Sequence, residues 1–289
     1  MDTCGAPRRC GILEPRTFGK KKVYLESEVY HMKTRKLRLL SALLALAMLL
    51  ALLPTAAFAE DNHNCGATSE DNVTWSLENG TLTISGTGKM KDYDIWNNDQ
   101  PWYNQRDSIK HIVIENGVTS IGDYAFISSA ITSITIPASV TTIGIGAFYK
   151  CSKLESADMS NATSLEKIGQ HAFESCTGVK TIDLSNAIKL KEIGDKAFYS
   201  SGVDSVTFPQ NSQLTKIGDS VFAHCNNLKN IEIPGTVTKI EGSAFQYAGL
   251  TSIEIPASVT NIGNFAFEGT KLTSIKIPAS VTNIGNFAF

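Results

Sequence analysis

The stretch Leu250–Phe267 reads L-T-S-I-E-I-P-A-S-V-T-N-I-G-N-F-A-F, and its closing phrase, I-G-x-x-A-F, recurs through most of the chain. It runs from Ile121 to Phe126, Ile143 to Phe148, Ile168 to Phe173 and Ile193 to Phe198. It continues from Ile217 to Phe222, Ile240 to Phe245, Ile262 to Phe267 and Ile284 to Phe289, with Glu241 in place of one glycine. The phenylalanines are 22, 25, 25, 24, 23, 22 and 22 residues apart. Periods of this size mark a solenoid of stacked units, in which each unit buries its apolar face against its neighbours.

The first half of each unit is a strand phrase. It reads Ile109-x-x-Ile112-x-Ile114, Ile131-x-x-Ile134-x-Ile136, Leu154-x-x-Ala157-x-Met159 and Val179-x-x-Ile182-x-Leu184. Then come Val203-x-x-Val206-x-Phe208, Leu228-x-x-Ile231-x-Ile233, Leu250-x-x-Ile253-x-Ile255 and Leu272-x-x-Ile275-x-Ile277. The last three apolar-polar-apolar positions alternate with period two, so their middle residue points away from the core. Those outward residues are Val113, Thr135, Asp158, Asp183, Thr207, Glu232, Glu254 and Lys276. Proline closes several phrases, at Pro137, Pro209, Pro234, Pro256 and Pro278, where a fixed φ and a missing N–H suit the end of a ladder. The expected fold is a solenoid: a curved stack with one parallel sheet, the phenylalanines packed in the arcs opposite. Gly144 and its equivalents provide a tight bend or a close approach between coils.

The segment before the repeats differs. Val73-Thr-Trp75-Ser-Leu77 and Leu82-Thr-Ile84 alternate around Asn79-Gly80, the pair that favours a two-residue hairpin turn. Met90, Tyr93, Trp96, Trp102 and Tyr103 follow. Terminal repeats need atypical caps, which accounts for these aromatics. The sharper reading makes Trp96, Trp102 and Tyr103 a carbohydrate-stacking site. Asp92, Asp94 and Asp99 lie nearby, but in a loop-like stretch where carboxylates ordinarily face solvent, so glycosidase chemistry is the weaker reading. The phrase G-x-x-A-F has no lysine and no G-x-G-x-x-G spacing, which excludes a nucleotide loop.

At the other end, Lys33, Arg35, Lys36 and Arg38 precede the apolar run Leu39–Leu53. Pro54 and the A-x-A box Ala57–Ala59 follow, the layout of a cleaved secretory signal. The domain plan is therefore 1–31, a leader that reads as a start site placed too early; 32–59, the signal peptide; 60–108, a hairpin and capping module; and 109–289, a solenoid of about eight units. The chain stops on the last residue of a repeat phrase, so a continuation beyond Phe289 is expected. Residues 60–289 hold 16 basic and 24 acidic side chains, a net charge of −8. That argues against a nucleic-acid partner, which calls for a basic stripe. Export permits disulfides, yet Cys151, Cys176 and Cys225 each sit three residues past a repeat phenylalanine, where Ser129, Ser201, Ala248 and Thr270 stand in other units. This is a slot for a small buried side chain, and the thiols are expected to be reduced. His171 and His224 occupy different repeat positions, so neither a metal nor any other cofactor is expected.

The phrase L-T-S-I-x-I-P-x-S-V-T-x-I-G-x-x-A-F resembles the BspA-like leucine-rich-repeat family of bacterial surface proteins. The stretch from Trp75 through Gly80-Thr-Leu-Thr-Ile84-Ser-Gly86-Thr-Gly88-Lys-Met90 to Pro101-Trp102-Tyr103 resembles the module that often precedes such repeats. The resemblance covers about residues 64–289. It implies a secreted or cell-surface bacterial protein and a non-catalytic binding or adhesion role, with a host or bacterial surface protein or a glycan as partner. It carries over no catalytic residues. The alternative is a repeat scaffold for a larger secreted enzyme. After signal cleavage no integral membrane segment is expected. The eight outward strand residues are the candidate ligand surface.

Overall fold

The computed structural model describes residues 63–289. The leader and signal readings, at 1–31 and 32–59, lie outside the described residues. Among the described residues no helix is long and apolar enough to cross a membrane.

Strands β1 (Asn72–Glu78) and β2 (Thr81–Lys89) form the expected antiparallel hairpin, with Glu78 opposite Thr81. Asn79 (φ 48°) and Gly80 (φ 78°) are both left-handed, as a two-residue turn that matches the strand twist requires. Strand β2 then starts two parallel ladders. Its Thr81–Ile84 half pairs with β3 (His111–Ile114), and its Gly88–Lys89 end pairs with β4 (Val118–Ile121).

The first ladder is the expected sheet. It continues from β3 to β5 (Ser133–Thr135) and β7 (Ser156–Asp158). It resumes with β9 (Thr181–Asp183) paired to β11 (Ser205–Thr207), and then a single parallel bridge joins Glu232 to Glu254. The structure adds a second parallel ladder that was not anticipated, built from the T-x-I or K-I residues just before each glycine. It runs from β4 through β6 (Thr142–Ile143) and β8 (Lys167–Ile168) to β10 (Glu192–Ile193). After a gap it runs from β12 (Lys216–Ile217) through β13 (Lys239–Ile240) and β14 (Asn261–Ile262) to β15 (Asn283–Ile284).

The third side of each coil is the arc around the phenylalanine. Phe126, Phe148, Phe173, Phe198, Phe222, Phe245 and Phe267 are essentially inaccessible to solvent, and adjacent rings stack with centroids 5.0 to 5.6 Å apart. Each of these phenylalanine N–H groups donates to the next coil's alanine or valine carbonyl, as in Phe148 to Ala172 at 2.8 Å. The residues two before and two after donate likewise, as in Gly146 to Gln170 and Lys150 to Glu174, both at 2.8 Å. Three donors can point the same way because these flanking residues are left-handed: Tyr124, His171 and Lys196 on one side, Lys150, Ser175 and His224 on the other. Gly144 itself has no positive φ. Its role is close approach, since a Cβ there would lie 2.6 Å from the Asp123 nitrogen of the preceding coil.

Candidate functional site

The eight outward residues are all exposed. Parallel pairing sets many of them directly side by side: Val113 beside Thr135 and Thr135 beside Asp158, Asp183 beside Thr207, and Glu232 beside Glu254. The inward neighbours Ile112, Ile134, Ile182 and Ile231 are buried. The alternation that the sequence implied is therefore present, and it turns one residue per coil into a row.

Two of these acids also have a local task. The Asp158 and Asp183 carboxylates each accept from the backbone N–H two residues on, Ser160 and Ser185, at 2.9 Å. These two units lack the proline that ends other strand phrases, so the aspartate shapes the turn instead. Hydrogen bonds from the Ser160 side chain and backbone hold the Asp158 carboxyl below its usual value, so it is ionised at neutral pH. Glu232 and Glu254 form no ion pair among the described residues. Two ion pairs between coils, Lys167 with Glu192 and Lys191 with Glu166, both at 3.1 Å, sit on or beside the second ladder.

The aromatic group does not assemble as a site. Trp102 is 1% exposed and belongs to the core. Its ring stacks on Phe126 at 5.5 Å, and its Nε1 donates to the Ala125 carbonyl at 2.9 Å. In later coils that carbonyl position is satisfied by the preceding phenylalanine's backbone N–H, so Trp102 supplies both the ring and the donor of a missing coil. Trp102 is thus withdrawn as a sugar-stacking residue. Its burial follows from the need to close the end of the stack. Tyr103 is half-buried, opens the short 3-10 helix Tyr103–Gln105, and carries the Arg106 guanidinium 3.9 Å from its ring centroid. Trp96 alone is free, 83% exposed, beside a cavity of about 410 Å³ that Asp92, Asp94, Asp99 and Tyr124 also line. The carboxylates there bind the loop itself: Asp92 accepts from the Asp123 N–H, Asp94 from the Trp96 N–H, and Asp99 pairs with Lys91 at 3.3 Å. Trp75 is half-buried with its ring edge-to-face to Trp102 at 5.9 Å.

Cys65, Cys151, Cys176 and Cys225 are buried and unbridged. The repeat-slot thiols donate to the preceding units' phenylalanine carbonyls, Cys151 to Phe126, Cys176 to Phe148 and Cys225 to Phe198, at 3.0 to 3.1 Å. Burial pushes Cys151 up to about 12 and Cys225 to about 11. Among the described residues no group of three or more His, Cys, Asp or Glu could hold a metal ion.

A row of arc-side aromatics escaped the sequence reading. Tyr199, His224 and Tyr247 follow one another with centroids 5.2 and 5.1 Å apart, and Phe265 stacks on Phe287 at 5.5 Å. They fall in different columns, Tyr199 one and His224 and Tyr247 two residues after the phenylalanine, Phe265 and Phe287 two before it, so no one column runs through the whole stack.

A family profile described as BspA type leucine rich repeat region, in 6 copies, matches residues 99–214 and 191–289. Among solved structures, the chain is similar to a leucine-rich repeat protein from Eubacterium ventriosum. The two share 29% identity over 76% of this chain and 67% of that one, with a TM-score of 0.57. It is also similar to a leucine rich cell surface protein from Faecalibacterium prausnitzii, with 31% identity and a TM-score of 0.52, over 70% of this chain and 52% of that one. The chain thus spans about two thirds of the first structure's length and half of the second's. No curated protein matches it.

Proposed function

The chain belongs to the BspA type leucine-rich-repeat family, and from that membership we propose that it is a non-catalytic binding module, secreted or held at the bacterial surface. Its ligand surface is the row Val113, Thr135, Asp158, Asp183, Thr207, Glu232, Glu254 and Lys276, and its partner is a protein that presents a basic patch. The observation that carries this reading is the register: the solenoid puts one outward, exposed side chain per coil on the strand face, in paired runs, and four of these eight are acidic. Charge of one sign along such a row raises association rates toward an oppositely charged partner and makes them salt-sensitive. The surface location draws support from the likeness to the F. prausnitzii protein, which is itself a cell surface protein.

The test is an array of host matrix proteins, bacterial surface proteins and glycans probed with wild type and with the quadruple variant Asp158→Ser, Asp183→Ser, Glu232→Ser and Glu254→Ser. The reading expects a protein hit whose affinity falls in the variant and at high salt. Unchanged affinity would move the site to the loop around Trp96, and a glycan hit lost on Trp96→Ala would establish it there.

A further inference from the structure

The first ladder is interrupted at three coil boundaries, and the gap that follows β11 holds a cleft of about 520 Å³. One wall is β11, with Ser205, Thr207 and Phe208. The other is the following strand phrase, with Ile231, Glu232 and Ile233. Two backbone bonds that some other boundaries carry have no counterpart here, as they have none between β7 and β9. Ile136 donates to Asp158 and Leu184 to Thr207, but Phe208 makes no such bond to Glu232. Asp204 donates to Lys180, and Thr251 to Lys229, but no such bond joins Lys229 to the coil before it. Among the described residues, no strand pairing connects the two walls.

Pairing also stops between β7 and β9, where Met159 is buried, but only the boundary after β11 combines the gap with a difference in the strand phrase. The third apolar position of the strand phrase is Ile114, Ile136, Met159, Leu184, Ile233 or Ile255 in six other units, where each is buried, and Ile277, half-buried, in the last. In the β11 unit it is Phe208, which is only half-buried. A side chain too large for a packed slot forces its surroundings apart. Two strand edges are left open side by side, with Phe208 and Ile233 on the flanks, Glu232 at the rim and Glu254 beside it on the next coil. Glu232 and Glu254 lie directly opposite each other, an unfavourable arrangement of like charges, and neither has a cation partner among the described residues.

We propose that this cleft receives an extended basic segment of the protein partner. The segment adds as a strand to the open edges, and its lysines or arginines answer Glu232 and Glu254. Backbone pairing supplies affinity without demanding a particular sequence, and alternate side chains supply the charge match. The inference rests on the acidic-row reading above and names the kind of segment that row captures.

The test uses the full chain and three labelled octapeptides: alternating Lys–Thr, the same with alternate backbone amides N-methylated, and alternating Glu–Thr. Fluorescence anisotropy should show the Lys–Thr peptide binding in a salt-sensitive manner. The methylated and acidic peptides should bind at least about tenfold more weakly, a clear step on the affinity scale. Glu232→Gln with Glu254→Gln should weaken the Lys–Thr peptide by about tenfold as well. Phe208→Ile should close the cleft, slow amide exchange at 205–207 and 230–232, and abolish binding. Equal binding of the methylated peptide would overturn the strand-addition claim. So would a Phe208→Ile variant whose exchange slows while its binding persists. Binding that survives Phe208→Ile but is lost on Asp158→Ser with Asp183→Ser would keep the acidic row and remove the cleft. No peptide binding up to about 1 mM, the weak end of specific recognition, would also remove the cleft, and the array result would stand or fall by itself. Dimerisation of the chain that Phe208→Ile prevents would assign the edges to a second copy and contradict the proposal.

Discussion

The arc side and the strand side of the same coils are joined in different ways. On the arc, three N–H donors per coil cross nearly every boundary from Tyr124 to Ala288, and the rings from Trp102 to Phe289 stack without interruption. On the strand side, pairing stops between β7 and β9, again between β11 and the next phrase, and beyond Glu254. The second ladder is intermediate, with a single gap between β10 and β12. The arc therefore holds the stack in register, and the strand face is left free to vary. This is the division a binding scaffold needs: one side conserves geometry while the other offers different side chains and a local opening.

The largest effect should come from the arc. Phe198 is fully buried between Phe173 and Phe222, with centroids 5.5 Å away on each side. Phe198→Ala should cost ~3–5 kcal/mol through lost transfer energy and the cavity left behind. Denaturant unfolding would show it, and a loss below ~1 kcal/mol would place the stabilising side elsewhere.

The end of that stack should be next. Trp102→Phe keeps a ring over Phe126 but leaves the Ala125 carbonyl without its indole donor. An unsatisfied buried acceptor costs ~1–3 kcal/mol. Amide exchange should show the opening confined to the first coils. A variant as stable as wild type would show that the ring alone closes the end.

The thiols sharpen the comparison through pH. Burial raises Cys65 and Cys151 to about 12 and Cys225 to about 11, against 9.0 for an ordinary thiol. The neutral form is the native one. Its contribution is therefore complete below pH 9 and is lost as pH rises from there toward 11 or 12, because the unfolded chain ionises first. Native protein at pH 8 should resist alkylation and label fully once unfolded. Replacing Cys151, Cys176 and Cys225 together with alanine should flatten part of the alkaline loss of stability. Rapid native labelling would contradict the packed slot.

The strand face should show the smallest effect on stability. The Asp158, Asp183, Glu232 and Glu254 to serine variant changes exposed positions only, and serine can still shape the turns that Asp158 and Asp183 make. Each surface change should stay within about 0.5 kcal/mol. A large collective loss would mean that these acids serve the fold rather than a partner.

Much of this was legible because repetition multiplies a weak local signal. One I-G-x-x-A-F phrase says little, but eight of them assign the phenylalanines to a core, the cysteines to a small slot and the middle strand residues to an exposed row. Asn79-Gly80 was legible for a different reason, since the turn demands two left-handed residues and these two adopt that conformation readily. The arc's own conformation was not legible. Tyr124, Lys150 and His171 are left-handed against their local preference, because hydrogen bonds to the next coil outweigh it. Trp102 looked like a surface platform because its partner, the Ala125 carbonyl, is distant in sequence. The second ladder was hidden by strands as short as two residues. The cleft at Phe208 depends on a difference of a few side-chain atoms, which a pattern of apolar and polar letters does not register.

Native-state amide exchange, read residue by residue, tests the division between the two sides most directly. The arc amides of Phe148, Phe173, Phe198 and Phe222 donate to the next coil and should exchange only through global unfolding. The amides at 230–232, on the wall of the cleft with no ladder to the coil before it, should exchange through local opening at markedly lower free energy. Equal protection on the two sides, or an arc that opens before the strand face, would contradict the account.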